Sequence, residues 1–189
     1  VHVVQVDERV APAGHPDRNL THLREGLLAH CPLPREQLHA MPVQSADLAS
    51  ASLGYAATLR QIAGDPAIVD LAHLGPELDG HTASLVPGDP VLDIGDVDVA
   101  LTGPYQGRRR MTLTYPMLDR ARRIVWLVTG PEKADVLARL CARDRSIPAG
   151  RVHQDQAVVI ADHNAAGALR RGLVRAPRRR RHGARRHRD

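Results

Sequence analysis

Hydrophobic and polar positions change their period repeatedly along the chain, and the changes mark alternating strands and helices. Residues 1–6 are β-branched at nearly every other position and read as a strand, after which Pro12 and Gly14 open a loop. That loop ends at Asp17, placed to cap a helix over residues 18–30, which Cys31-Pro32-Leu33-Pro34 terminates. A short strand follows at 39–43 and a long helix at 46–63, stopped by Gly64-Asp65-Pro66. The run 68–75 is short, mostly apolar and closed by Gly, Pro and Asp, as in an interior strand. Residues 97–101 and 111–115 read as strands flanking a Gly/Pro loop, and 116–122 as a helical turn. The clearest strand spans 124–129 and the clearest helix 132–143, followed by a strand at 157–161 and a last helix at 164–171. Strands alternating with helices predict an α/β fold: a layered, mainly parallel sheet flanked by helices, Rossmann-like in type.

Composition changes this picture in several places. With 189 residues, one core is the expectation: a single domain over 1–171. Phe is absent and aromatic residues make up 2%, so a core of Leu, Val, Ile and Ala is expected. The net charge of +5 is unevenly placed, because residues 170–189 hold ten of the 26 basic groups and one of the 21 acidic ones, leaving residues 1–169 at −4. Nucleic-acid binding would therefore rest on the tail, and only non-specifically, since no aromatic residues interleave its arginines. Residues 172–189 are expected to be a disordered Arg-rich tail. Cys31 and Cys141 lack any ligand spacing and no apolar run is long enough to span a membrane, which points to the cytoplasm. Val1 lies inside the first strand and is not preceded by Met, so an amino terminus truncated within the domain is expected.

The candidate chemistry starts at Asp79-Gly80-His81-Thr82-Ala83-Ser84, which places an acid and a histidine around a glycine just beyond the strand at 68–75. Side chains there line the crevice in which open α/β sheets bind ligands. Together with Asp7-Glu8-Arg9, Arg110-Met111-Thr112-Leu113-Thr114 and Val128-Thr129-Gly130-Pro131-Glu132-Lys133-Ala134, in this order, the run resembles the 6-phosphogluconolactonases of the glucosamine-6-phosphate isomerase/deaminase superfamily. The resemblance implies hydrolysis of 6-phospho-D-glucono-1,5-lactone, with no metal and no organic cofactor. It makes His81 the candidate base and Asp79 its orienting partner, which requires a tight turn at Gly80. It points Arg9 into the cleft to stabilise charge on the lactone, positioned by Asp7 and Glu8, and makes Arg110, Lys133, Gly80 and Thr82 the substrate-binding set. A guanidinium grips phosphate oxygens in bidentate fashion, and a lysine at a helix start adds a point charge.

Other readings of the same residues are plainer. His81 alone could be a half-buried histidine capping a helix that begins at Thr82, and Ser84, without a Gly-x-Ser-x-Gly elbow, reads as a capping or packing hydroxyl. His15, His22, His30, His39 and His153 have no metal-ligand spacing. Two departures from the family stand out. Glu77 occupies a position where a glycine is usual, which would cost strain if that position needs positive φ, and would add a repelling carboxylate. No Gly-Gly-Ser/Thr phosphate loop precedes Asp7. The alternatives are an amino-sugar phosphate isomerase/deaminase, disfavoured because residues 82–87 lack a further acid, and an inactive fragment with a polyanion-binding tail.

Overall fold

Alternation in Ile124–Val128 (β7) sends Ile124, Trp126 and Val128 inward, all at most 2% exposed, and builds the middle of a three-stranded parallel sheet. A computed structural model of the chain describes residues 1–167 and Leu169; the expected tail, 172–189, and the end of the last expected helix lie outside the described residues. Earlier elements, in chain order, are β1 (Val3–Val4), β2 (Asp7–Arg9), α1 (Asn19–Leu23), β3 (Leu38–His39), α2 (Leu48–Ala63), β4 (Ala72–Leu74), β5 (Val99–Leu101), β6 (Arg110–Leu113) and α3 (Tyr115–Asp119). After β7 come α4 (Ala134–Cys141), α5 (Pro148–Arg151) and β8 (Ala157–Ala161).

β7 pairs in parallel with β4 (Leu74 opposite Trp126) and with β8 (Leu127 opposite Ile160). β1 and β3 form a second parallel pair. The third sheet, β2-β6-β5, is antiparallel: β5 and β6 are joined by a loop, and β2 pairs with β6 across most of the chain, a pairing that strand–helix alternation does not encode. Its register sets Arg9 directly opposite Arg110.

The helices bury one stripe each. In α2, Ser52, Tyr55, Ala56 and Leu59 face the core; Asp47 caps it by accepting the Ser50 N–H at 3.0 Å, and Gly64 ends it at φ +88°. Val136, Leu137 and Leu140 do the same for α4. The core is not built from Leu, Val, Ile and Ala alone. All three methionines, Met41, Met111 and Met117, and the one tryptophan, Trp126, are at most 1% exposed and supply the bulk that the missing Phe would have provided.

The expected helix at 18–30 is shorter in its α-helical part and is capped differently. α1 passes into a wider π turn at Arg24–Leu28, and Asp17 does not cap it. The buried Glu8 carboxylate takes the free N–H groups of Asn19 (2.8 Å) and Leu20 (2.9 Å) instead, while pairing with Arg18 at 2.9 Å. No helix begins at Thr82: residues 82–85 form a turn closed by the Leu85 N–H on the Thr82 carbonyl (2.9 Å), with Ala83 at φ +50°. Cys31 and Cys141 are free thiols.

Candidate active site

The loop that follows β4 is wound tightly by backbone bonds. The Gly80 N–H donates to the Glu77 carbonyl, and the Glu77 N–H to the His81 carbonyl, both at 2.8 Å. Gly80 sits at φ +87°, and a Cβ there would lie 2.5 Å from Cβ of Ile147, so neither the conformation nor the space admits a side chain. Its carbonyl accepts the Ala149 N–H at 2.9 Å, which docks the loop on α5.

This turn brings the two residues of the motif together. Asp79 Oδ1 lies 2.7 Å from His81 Nδ1 and accepts the His81 backbone N–H at 3.1 Å. With Nδ1 donating to the carboxylate, Nε2 carries the lone pair. His81 is 7% exposed. The other carboxylate oxygen of Asp79 accepts the Tyr105 hydroxyl at 2.7 Å. Burial pushes the Asp79 carboxyl up, but the bonds from Tyr105 and His81 outweigh it and hold Asp79 below the usual range. Tyr105 also meets the His81 ring edge-on, 5.4 Å between centroids, and carries the Arg110 guanidinium 4.8 Å above its own ring.

Arg110 is 3% exposed and bonds Gln106 Oε1 at 3.1 Å, while its Nε and Nη1 have no hydrogen-bond partner. Burial, and then the neighbouring charge of Arg9, lower its proton affinity. Arg9 donates through Nη1 to the Asp17 carbonyl at 2.8 Å, and its Nε is likewise buried without a partner. Two adjacent guanidiniums with unsatisfied buried N–H groups form an anion-seeking corner. Asp7 tempers it: burial raises its pKa, against the Ser84 hydroxyl (2.6 Å from Oδ2) and the charges of Arg9 and Arg110. Glu8 accepts the Arg9 N–H at 2.8 Å and so fixes the arginine's backbone.

Lys133 stands in a short 3₁₀ turn, Pro131–Lys133, entered through Gly130 at φ +95°. Its Nζ donates to the Pro76 carbonyl at 2.9 Å and to Glu77 Oε2 at 2.5 Å, on the loop that ends in Asp79. Glu77 is not in the positive-φ region, so the strain expected of it is absent; Gly80 carries that conformation instead. Thr82 is fully buried and its hydroxyl has no partner. Ser84 is buried on Asp7, as a packing hydroxyl.

Asp79, Gly80, His81 and Arg110 are thus joined directly or through Tyr105, Arg9 adjoins Arg110 across the β2–β6 pair, and Lys133 reaches the same loop through Glu77. Sequence reasoning missed Tyr105, although an aromatic residue in a Gly/Pro loop just before an arginine run, in a chain almost without aromatics, was a usable signal. A cavity of about 460 Å³ between β3 and α2, lined by His39, Pro42, Tyr55 and Thr58 among others, contains none of these side chains. Among the described residues no group of three or more His, Cys, Asp or Glu could hold a metal ion.

Residues 1–161 match the family model described as glucosamine-6-phosphate isomerases/6-phosphogluconolactonase. The 6-phosphogluconolactonase of Mycobacterium tuberculosis is 38% identical over 89% of this chain and 73% of its own length; that of Synechocystis sp. is 35% identical over 90% and 74%. Among solved structures, the 6-phosphogluconolactonase of Thermotoga maritima superposes with a TM-score of 0.75 at 26% identity, covering 85% of this chain and 71% of that one. A monomeric glucosamine-6-phosphate deaminase, 17% identical with a TM-score of 0.74 over 88% of this chain and 74% of its own, shares the fold. The glycine-centred Asp79–His81 turn, the paired arginines and these matches lead to one conclusion: the chain belongs to the glucosamine-6-phosphate isomerase/6-phosphogluconolactonase family.

Proposed function

We propose that the chain hydrolyses 6-phospho-D-glucono-1,5-lactone to 6-phospho-D-gluconate, a step of the pentose phosphate pathway, with His81 as the base. The observation that carries this reading is the Tyr105–Asp79–His81 relay, in which Asp79 engages His81 Nδ1 and leaves Nε2 for the water, together with two arginines that keep unspent donors. His81 Nε2 takes a proton from water as the water oxygen bonds to the lactone carbonyl carbon. Arg9 stabilises the resulting oxyanion. As the carbonyl re-forms, the ring C–O bond breaks and the imidazolium returns its proton to the departing ring oxygen. Asp79 holds the imidazole in the required tautomer, and its charge stabilises the imidazolium without itself being protonated. Arg110 and Lys133 bind the phosphate, with the Gly80 backbone and Thr82 shaping the cradle between them.

The relatives named as 6-phosphogluconolactonases support this reaction over the deaminase chemistry of the wider family, as does the absence of a further acid in residues 82–87. We assign the reaction to one domain, residues 1–171, with 172–189 outside it. No helix among the described residues is long and apolar enough to cross a membrane, and with both cysteines unpaired we assign the chain to the cytoplasm. The test is proton release from freshly generated lactone by the purified chain. Turnover well above the spontaneous rate is expected, and a rate equal to it would overturn the assignment.

A further inference from the structure

Lys133 already has an anion. Its ammonium is anchored on one side by the Pro76 carbonyl at 2.9 Å and on the other by Glu77 Oε2 at 2.5 Å. The two partners differ in kind: the carbonyl is fixed in the backbone of the 76–81 turn, whereas the Glu77 side chain is 54% exposed and can rotate into solvent at little cost. Lys133, at 17%, is far less free to leave. Tyr105, which carries the Arg110 guanidinium over its ring, also feels Glu77 of this pair. Its hydroxyl is pushed up mainly by the bond to Asp79, and at longer range it feels the Arg110 charge in one direction and the Glu77 charge in the other. Lys133, which faces Glu77, and Arg110, which has unspent donors, therefore belong to one electrostatic neighbourhood, and the charge of Lys133 is neutralised from within.

We propose that Glu77 is an internal counter-anion that competes with the substrate's phosphate for Lys133 and so sets how strongly the site prefers a phosphorylated lactone over an unphosphorylated one. The inference rests on the lactonase reading for the identity of the anion. A dianionic phosphate arriving at Lys133 meets a carboxylate in contact with the same ammonium, and must displace it or bind beside a like charge. Substrate binding then includes the swing of Glu77 out to water, while the Pro76 carbonyl keeps Lys133 in place. A lactone without phosphate makes no such demand.

The experiment compares Glu77→Gln with the parent chain on the phosphorylated lactone and on unsubstituted glucono-1,5-lactone, and measures binding of inorganic phosphate by calorimetry. Glu77→Gln should lower KM for the phosphorylated lactone about fivefold, change kcat less than KM, and tighten inorganic phosphate by a similar factor, the scale of a half-exposed ion pair. KM for the unphosphorylated lactone should not follow. In a Lys133→Met background, Glu77→Gln should have lost its effect on phosphate. An unchanged or raised KM, or equal changes for both lactones, would overturn the proposal and leave Glu77 as a brace for the turn. If the parent chain hydrolyses neither lactone, the lactonase reading fails; the calorimetric comparison still decides whether Glu77 competes with anions at Lys133.

Discussion

Tyr105 ties three functional side chains together through one ring: its hydroxyl fixes Asp79, its edge faces the imidazole of His81 and its face carries Arg110. Tyr105→Phe removes a single charge-assisted hydrogen bond and leaves the ring contacts. A bond of this kind contributes on the order of 1.5 kcal/mol, so kcat/KM should fall about tenfold with little change in fold, read from steady-state kinetics. Gly80 is the other residue on which the geometry turns. Gly80→Ala must place a Cβ against Ile147 at φ +87°, and should cost about 2–4 kcal/mol in urea unfolding together with most of the activity. The Asp79–His81 pairing around Gly80 was legible in the sequence because it lies within three consecutive positions. Tyr105 acts on Asp79 across 26 residues, and the Lys133–Glu77 pair spans 56, separations that no local pattern encodes.

At the scale of elements, Glu8 joins β2 to α1. Its carboxylate accepts the N–H groups that open the helix, the Gln5 amide and the Arg18 guanidinium, with no exposure to solvent. Burial pushes its pKa up, yet these donors outweigh it and hold Glu8 below the usual carboxylate range. Glu8→Ala would leave Arg18 buried without its counter-ion, and should destabilise the fold by about 3–5 kcal/mol in urea titrations. The sequence pointed to a helix beginning near residue 18 and to Asp17 as its cap. The helix is there, but the cap comes from a strand eleven residues earlier, because a buried carboxylate with several donors outcompetes an exposed neighbour. Most of the alternation of strands and helices was legible from the hydrophobic period, but the short helix α5 and the division of the first strand into β1 and β2 were not, and neither was the antiparallel pairing of β2 and β6, which joins residues about a hundred positions apart.

For the molecule as a whole, the carboxylates set its response to acid. Asp79 and Glu8 titrate below their ordinary values of 3.8 and 4.5, and Asp144, bonded to Ser146 and Arg139, is held down to about 2. An acid whose pKa is lower in the folded state adds stability that is complete above the unfolded value and is lost as pH falls through the folded one. The thermal midpoint should therefore decline below about pH 4.5 and continue to fall towards about pH 2, less steeply in Asp144→Asn. Asp7 works in the opposite sense: burial raises its pKa, and its ionisation costs stability as pH rises through that range.

The central claim is that His81, held by Asp79, activates water against the lactone. Its most direct test is the rate of 6-phosphogluconolactone hydrolysis by His81→Gln beside the parent chain, with both proteins shown to be equally folded by circular dichroism. A fall of about 10²- to 10⁴-fold in kcat, with the lactone still bound, is predicted; a variant that turns over lactone at the parental rate would contradict the account.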